Sequence, residues 1–339
     1  MNISLTLDYE IYFGAHSGSA ERTLIEPTEA LARLATRYGV RLVFFVDALW
    51  LLRLREEAPR HAALMTEHYR VARQLEALAS AGHELQLHLH PHWRDTRWDG
   101  QSWQMDLRRY RLHAFADEEI AEMTTEGCQA LRALAGAQRV CAFRAGGWCI
   151  QPFERLREPL RQAGIRIDST VYTGGRQEGE AQSYDFTQAP EESHWRFEVD
   201  PLLPQEDGSF LEVPIASHRV SPWWYWRLAA ARKLRLPGHR ALGEGQAVPL
   251  SKADLLRKLF TPTASVVSMD GMKSGFLEAA WRNYQRLGME DFVVIGHPKA
   301  LTPYSLGMLE AFLRRHADEP FVGMNHYQQV LRRPVMAMA

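Results

Sequence analysis

The chain has 339 residues, 46% of them hydrophobic, and a formal net charge of −1. This length allows one large α/β domain with a substantial core, or two smaller domains. The near-neutral charge gives no reason to expect nucleic acid or another polyanion as a partner.

Cysteine usage and hydrophobic runs bear on the cellular compartment. The chain has three cysteines, an odd number, and they form no CxxC motif: Cys128, Cys141 and Cys149. We therefore expect neither a disulfide framework nor a zinc ribbon. A reducing cytoplasm fits this pattern best. The first residues predict a strand with acidic positions and no signal peptide. No apolar run approaches the roughly 20 residues of a membrane helix.

Apolar runs that predict strands alternate along the chain with segments of helical spacing. Strands are expected, in chain order, at 2–9, 40–47, 84–89, 140–147, 165–172, 210–215 and 291–298. Helices are expected at 27–39, 58–82, 116–136, 152–164 and 303–316. Gly39 and Gly82 are the expected stops of the first two. The alternation predicts a parallel sheet buried on both faces, and seven or so units favour a (β/α) barrel.

Polar residues stand where most of these strands end, which is the edge at which barrels of this type place their chemistry. They are Asp8 and Glu10 after the first strand, three histidines after the third, Arg144 after the fourth, Asp168 in the fifth and His297 after the last.

The histidines lie in GHELQLHLHPHW, residues 82–93. In a continuous strand His88, His90 and His92 would point to one side, which is compatible with a solvated strand face. The i, i+4 spacing of His88 and His92 instead suits a turn after the strand, where both rings reach one divalent ion and His90 points elsewhere. We expect the second arrangement, because neutral imidazole is the commonest nitrogen ligand of metals.

A carboxylate usually completes such a two-histidine site. Asp8 and Glu10 lie two residues apart and so on one side of a strand; either could bind the ion while the other acts as a base, or both could cap the strand end. An open metal position would hold a water that becomes the nucleophile.

Three further residues have candidate roles at the same edge. Arg144 could hold a carboxylate such as Asp8 bidentately, beside Gly146 and Gly147, which let a ligand approach the backbone. His297 could protonate a leaving nitrogen. Asp168 could hold the His297 ring or bind substrate. Each also has a structural interpretation as a buried polar residue with a satisfied partner.

Five motifs in order resemble those of the polysaccharide deacetylase superfamily (NodB homology, similar to carbohydrate esterase family 4) over about residues 2–300. The motifs are LTLDYE, GHELQLHLHPH, FRAGGW, IDST and VIGHP. The resemblance implies a single domain over residues 1–339, a distorted (β/α)7-type barrel with inserted loops. It implies that His88 and His92 bind a metal, most simply zinc, that Arg144 braces the catalytic Asp, and that His297 is the acid.

The first motif departs from the family pattern, because Tyr9 stands where the family has a second Asp. By resemblance to a branch with a D-x-E motif, Asp8 becomes the base and Glu10 the metal ligand, with the exchanged roles as the alternative. If neither binds metal, the chain resembles metal-free relatives that cleave small cyclic ureides or imides. FRAGGW also lacks the Pro and the aromatic residue that the family has after its Arg.

The implied function is hydrolytic removal of an N-acetyl or N-formyl group from a sugar. That sugar would be part of a lipid- or nucleotide-linked precursor of surface polysaccharide or lipopolysaccharide. The alternatives are a hydrolase of a small non-sugar amide and a glycan-binding protein with a decayed site. Long loops at 93–115 and 171–209 predict a wide cleft and favour the glycan.

The segment 221–248, within an insertion at about 221–262, fits none of these motifs. Trp223, Trp224 and Trp226 stand beside basic residues from Arg227 to Arg235 and beyond. Such a mixture is typical of helices docked with snorkelling arginines, and also of membrane interfaces. The second interpretation places the protein at the inner face of the membrane, in contact with a lipid-linked glycan.

Overall fold

The computed structural model describes residues 1–136, 138–234, 236–248 and 252–332. The predicted domain of residues 1–339 and its insertion therefore include positions outside the described residues, Arg235 among them. The strands of the described chain are β1 (Asn2–Tyr9), β2 (Val43–Asp47), β3 (Glu84–Leu89), β4 (Arg97–Trp98), β5 (Trp103–Gln104), β6 (Ala142–Ala145), β7 (Ile167–Asp168), β8 (Arg176–Gln177), β9 (Tyr184–Asp185), β10 (Trp195–Phe197), β11 (Phe210–Glu212), β12 (Ser217–Val220), β13 (Thr263–Val266) and β14 (Asp291–Val294).

Eight strands form one sheet in the order β10-β11-β7-β6-β3-β2-β1-β14. The pairings from β11 to β14 are all parallel, and β10 is an antiparallel strand at the edge. Ile215, just beyond β11, forms a parallel bridge with Val293 in β14 and so links the two ends of the parallel part of the sheet. The seven parallel strands are the seven predicted ones, and the distorted (β/α)7-type barrel is confirmed.

The helices are α1 (Glu26–Arg37), α2 (Ala48–Glu57), α3 (Ala62–Ser80), α4 (Asp117–Ala135), α5 (Glu154–Gln162), α6 (Pro222–Lys233), α7 (Lys252–Phe260), α8 (Leu277–Arg286), α9 (Pro303–Arg315) and α10 (Met324–Arg332). The sequence pattern missed α2, which begins at once after β2 because Asp47 caps it by accepting a hydrogen bond from Trp50 N. Gly39 and Gly82 follow α1 and α3 with positive φ, as expected of residues that stop helices.

The apolar residues form two clusters separated by the sheet. The larger includes the helices and the strand residues that face them. The smaller contains Val43, Phe45, Ile167 and Val293 from the strands, together with Tyr327 and Met324 of α10. Because α10 contacts residues at the beginnings of β3 and β14, it covers the amino-terminal end of the barrel. The carboxyl ends of the strands are thereby left as the end available to a ligand.

Candidate active site

Eight of the residues at the carboxyl end come from strand ends or from the turns just after them. They surround a cavity of about 120 Å³. Its lining consists of Asp8, Glu10, Phe13, His88, His90, Tyr110, Ala145, Gly147, Trp148, Gln182 and His297. Four of the predicted site residues therefore face one cavity, although they are up to 289 positions apart in the chain.

Asp8 is held by Arg144, as expected, but through a single hydrogen bond and not the predicted bidentate pair. The guanidinium donates from Nη1 to Asp8 Oδ1 at 2.7 Å, and from Nε to the carbonyl of Ser169 at 2.7 Å. Its Nη2 donates to Thr6 Oγ1 at 3.0 Å, and its Cζ lies 4.0 Å from the centroid of the Phe45 ring. These contacts fix Asp8 in a buried position with its charge balanced and with Oδ2 left toward the cavity.

Glu10 lies between two imidazoles. Its Oε2 is 2.6 Å from His90 Nε2 and 3.3 Å from His88 Nε2. His88 Nδ1 is 2.8 Å from the carbonyl oxygen of Arg144, which can only accept, so Nδ1 carries the proton. When that ring is neutral, the Nε2 lone pair therefore points toward Glu10 and is free to bind an ion.

Burial and charge set the protonation of this group. Burial opposes ionisation of Glu10, but the Lys299 ammonium and the His90 ring hold its pKa well below the usual range. Burial also opposes protonation of His88, yet Asp8 and Glu10 raise the pKa of that ring to about 9. A metal ion would have to displace this proton, because only neutral imidazole binds metals.

His92 does not join this group, contrary to the expected pairing of His88 with His92. Its ring stacks on Tyr110 with an interplanar angle of 10° and contacts Phe13, and neither ring nitrogen has a hydrogen-bond partner. Burial and the neighbouring His90 keep its pKa well below 6.5. The extended backbone of β3 continues through His90, so His88 and His90 share a side, and a 3-10 turn from Pro91 to Arg94 carries His92 away.

His297 approaches both carboxylates from the other side of the cavity. Its Nε2 lies 3.7 Å from Asp8 Oδ2 and 3.8 Å from Glu10 Oε1. Its Nδ1 and its backbone N–H both contact Asp270 Oδ2 at 2.9 Å. Burial disfavours the charged ring, but the Asp270 carboxylate raises its pKa above the usual value. This geometry makes Nε2 able to hold a proton and deliver it into the cavity.

Asp270, which the sequence analysis missed, therefore has the position proposed for Asp168. The missed signal was an acidic residue after a short apolar run: Ser268, two residues earlier, bridges Ile295 beside β14. Asp168 instead accepts hydrogen bonds from Thr170, and it lies opposite Glu212 in the sheet register. Burial raises the pKa of Asp168, and burial with the Asp168 charge raises that of Glu212 further, so this pair retains a proton.

Asp168 contributes to the site indirectly. Thr170, which it holds, accepts a hydrogen bond from Ala145 N, and the neighbouring Ser169 binds Arg144 through its carbonyl. The Asp168 side chain is not part of the cavity lining. Its contacts thus support the turn on which Arg144 rests.

Lys299 is a second residue that sequence reasoning missed. It stands two positions after His297, and its side chain is buried. Its ammonium donates to Glu10 Oε1 and to the carbonyl of Ile11, both at 2.8 Å. A Lys after a His-Pro pair is not a recognisable signal, so only the fold reveals this contact.

The two long loops cover the cavity and do not form the wide cleft that their length suggested. Tyr110 lies over Gly147, where a Cβ atom would come within 2.6 Å of the tyrosine ring. Gln182 donates to the carbonyl of Gly147 at 2.8 Å. Glycine at 147, with φ of +60°, is therefore required both by the backbone and by the loop above it.

The aromatic segment forms α6, which packs beside α7. Trp223 and Trp226 are 72% and 47% exposed, whereas Trp224 packs inward against Phe276. Trp226 donates to the carbonyl of Leu259, and its ring lies 6.3 Å from that of Phe260, which is 68% exposed. No helix in the described part of the chain is long and apolar enough to cross a membrane.

The donor set fits a divalent metal. Within the described residues, Glu10, His88 and His90 form the group whose ligand atoms all lie within 4.8 Å of one another. Two imidazoles and one carboxylate are the protein ligands of many catalytic zinc sites. His90 Nε2 already faces Glu10, and its Nδ1 is buried without a partner. With Asp8 and His297 alongside, the group has the parts needed for metal-assisted hydrolysis.

Comparison with solved structures supports the fold. A candidate polysaccharide deacetylase from Mycobacterium smegmatis matches with a TM-score of 0.52 and 17% identity, covering 100% of this chain and 93% of its own. The Puue allantoinase matches with a TM-score of 0.52 and 14% identity, covering 98% and 92%. A candidate polysaccharide deacetylase from Pseudomonas aeruginosa PAO1 matches with a TM-score of 0.52 and 14% identity, covering 98% of this chain and 89% of its own. No family model and no curated protein matches the sequence.

Proposed function

We propose that this chain is a metal-dependent hydrolase that removes an N-acyl group, acetyl or formyl, from a sugar. The observation that carries the proposal is the convergence on one cavity of a braced carboxylate, a carboxylate–imidazole group and a histidine held by Asp270. The candidate deacetylases that share the fold support the sugar as substrate.

In the proposed reaction each residue has one task. A zinc ion held by Glu10, His88 and His90 would supply Lewis-acid polarisation of the acyl carbonyl and would acidify water. Asp8 accepts the proton of the attacking water, while Arg144 keeps that carboxylate in place. His297 donates a proton from Nε2 to the nitrogen as it leaves. The products are a carboxylate and an amino sugar.

The test measures the acetate released from an N-acetylglucosamine oligomer and the formate released from its N-formyl analogue. Protein stripped with a chelator should be inactive and should regain activity with zinc. Asp8→Asn, measured beside wild type, should remain inactive with zinc present. Turnover by the stripped protein that zinc does not increase would contradict the metal-dependent mechanism. Glycan binding without any turnover would instead support a binding protein.

The size of the cavity favours a second candidate, a hydrolase of a small non-sugar amide or ureide. A volume of about 120 Å³ is well below the roughly 300–1,000 Å³ of typical ligand pockets, so we expect a glycan to require movement of Tyr110 and Gln182. The matching allantoinase fold agrees with this alternative. Faster hydrolysis of allantoin or of a simple acetamide than of the sugar oligomers would favour it. Tyr110→Ala should increase glycan turnover if the loops must open.

We also propose that the sugar is carried on a lipid- or nucleotide-linked precursor of surface polysaccharide or lipopolysaccharide, at the inner face of the membrane. Trp223, Trp226 and Phe260 expose rings on the α6–α7 surface, and Arg227 and Lys233 on α6 would meet lipid phosphates. The three cysteines are buried and unpaired, which suits the cytoplasm.

Sedimentation with liposomes containing anionic lipid tests this surface. Trp223→Ala with Phe260→Ala should lose binding, while Tyr69→Ala, which removes a 64% exposed ring from α3, should keep it. Trp224 serves poorly as a probe because it packs inward. Equal sedimentation of all three proteins would remove the proposed membrane contact without affecting the hydrolase proposal.

A further inference from the structure

Each carboxylate of the site has its own buried cation. Asp8 pairs with Arg144 at 2.7 Å, and Glu10 pairs with Lys299 at 2.8 Å. All four side chains are at most 10% exposed. Arg144 and Lys299 therefore balance the two carboxylates by themselves, in addition to the proton on His88 that a metal ion has to displace.

The Lys299 ammonium is fixed by more than its ion pair. It donates a second hydrogen bond to the carbonyl of Ile11 and lies 5.2 Å and 4.9 Å from the ring centroids of Tyr12 and Phe13. The Tyr12 hydroxyl in turn donates to the backbone carbonyl of Lys299 at 2.8 Å. These contacts hold the cation beside Glu10 independently of the ion pair itself.

The ammonium also gives the two oxygens of Glu10 different partners. Oε1 accepts from Lys299, whereas Oε2 faces His88 and His90. Glu10 can thus offer one oxygen to an ion at the histidines. Its other oxygen remains engaged.

From these contacts we propose that Lys299 is a positioning residue that presents Glu10 to the metal through Oε2 alone and, as a resident counter-charge, weakens the affinity of the site for divalent cations. The inference rests on the proposed function, because it assumes that Glu10, His88 and His90 bind a metal.

The physical reason is electrostatic linkage. In wild type the metal must share Glu10 with a cation that already compensates the carboxylate in a poorly solvated position. Without Lys299, Glu10 in the metal-free protein keeps only its two imidazole partners, and a bound metal supplies the missing charge. Removing the lysine therefore destabilises the metal-free form more than the metal-bound form, and binding becomes tighter.

The same arrangement has a consequence for the reaction. Once the metal has displaced the His88 proton, Arg144 and Lys299 cancel the charges of Asp8 and Glu10, so a bound divalent ion leaves the site with a net positive charge. That excess favours the negative charge that develops on the acyl oxygen during attack. A site that bound the metal more tightly through an uncompensated Glu10 would lose part of this effect.

The test compares the zinc dissociation constants of full-length wild type, Lys299→Met, Lys299→Gln and Lys299→Arg, by competition with a chromophoric chelator. Lys299→Met and Lys299→Gln should bind zinc about tenfold more tightly or better, and Lys299→Arg, which keeps the charge, should resemble wild type. The rise in melting temperature on adding zinc should likewise be larger for the Met and Gln variants. Gln retains a donor for Glu10 Oε1 and provides a folded neutral variant if Met does not fold.

The outcomes separate the two proposals. If wild type binds zinc and the neutral variants bind it equally or more weakly, the role of Lys299 is wrong while the proposed metal site stands. If neither wild type nor any variant binds zinc, both the metal-dependent function and the proposed role of Lys299 are wrong.

Discussion

The two ends of the barrel differ in how particular buried polar side chains are hydrogen-bonded. At the amino-terminal end, Asp291 accepts hydrogen bonds from Asn2 and Tyr327 and pairs with His194. At the carboxyl end, His90 Nδ1 and both ring nitrogens of His92 have no partner. Because buried polar atoms are normally satisfied, the unpaired imidazole nitrogens beside the cavity are available to a ligand. The contacts of Asp291 instead stabilise the fold.

The largest expected effect is the loss of the base. Asp8→Asn should reduce acyl hydrolysis by about 10²–10⁴-fold, because the other carboxylate at the cavity, Glu10, is assigned to the metal. Zinc content should remain, since Asp8 is not one of the proposed ligands. Rates are to be normalised to folded protein, because Arg144 loses its buried counter-ion. Retained activity would assign the base to another group, with Glu10 as the first alternative.

A smaller effect is expected from the residue behind His297. Asp270→Asn should lower activity about 10–100-fold. Asp270 raises the pKa of His297, so His297 in the variant should lose its proton at lower pH. The alkaline limb of the pH–rate profile should therefore move to lower pH. The measurement is kcat/KM between pH 5 and 10. Asp168→Asn is the matched comparison, and a shifted alkaline limb there would restore Asp168 to the role first predicted for it.

The smallest effect on activity is expected at the opposite end. Asp291→Asn should cost about 2–3 kcal/mol of stability through its charged hydrogen bonds and leave activity per folded molecule unchanged. Asp291 raises the pKa of His194 above 6.5. Their pairing therefore stabilises the fold at pH below 6.5, and this contribution is lost as the pH rises through the raised value.

Melting temperature against pH checks this last prediction. Wild type should lose part of its stability above pH 6.5, and Asp291→Asn should lack that part of the slope. A large drop in activity per folded molecule would show that the two ends of the barrel are not separable in the way their hydrogen bonding indicates.

The seven parallel strands were predictable because each is a short apolar run bounded by turn or helix signals. Asp8, Glu10, Arg144 and His297 followed from their places at strand ends, since parallel strands bring those ends together. The choice between His90 and His92 was not predictable from spacing. It depends on where the extended backbone gives way to the turn at Pro91.

Other features required the assembled structure. Lys299 meets Glu10 across 289 positions of sequence. Asp270 follows a single bridging residue, Ser268, which is too short a stretch to stand out as a strand pattern. The closure of the cavity by Tyr110 and Gln182 depends on how two irregular loops fold, and irregular loops have no periodicity to interpret.

The most direct test of the central claim is the zinc content of His90→Ala beside His92→Ala. Both variants remove a buried imidazole from the same turn of chain, and only one removes a proposed ligand. After loading with zinc and desalting, wild type and His92→Ala should each hold about one ion per chain by elemental mass spectrometry, and His90→Ala should hold little. Retention in His90→Ala with loss in His92→Ala would return the ligand role to His92 and contradict the site described for this chain.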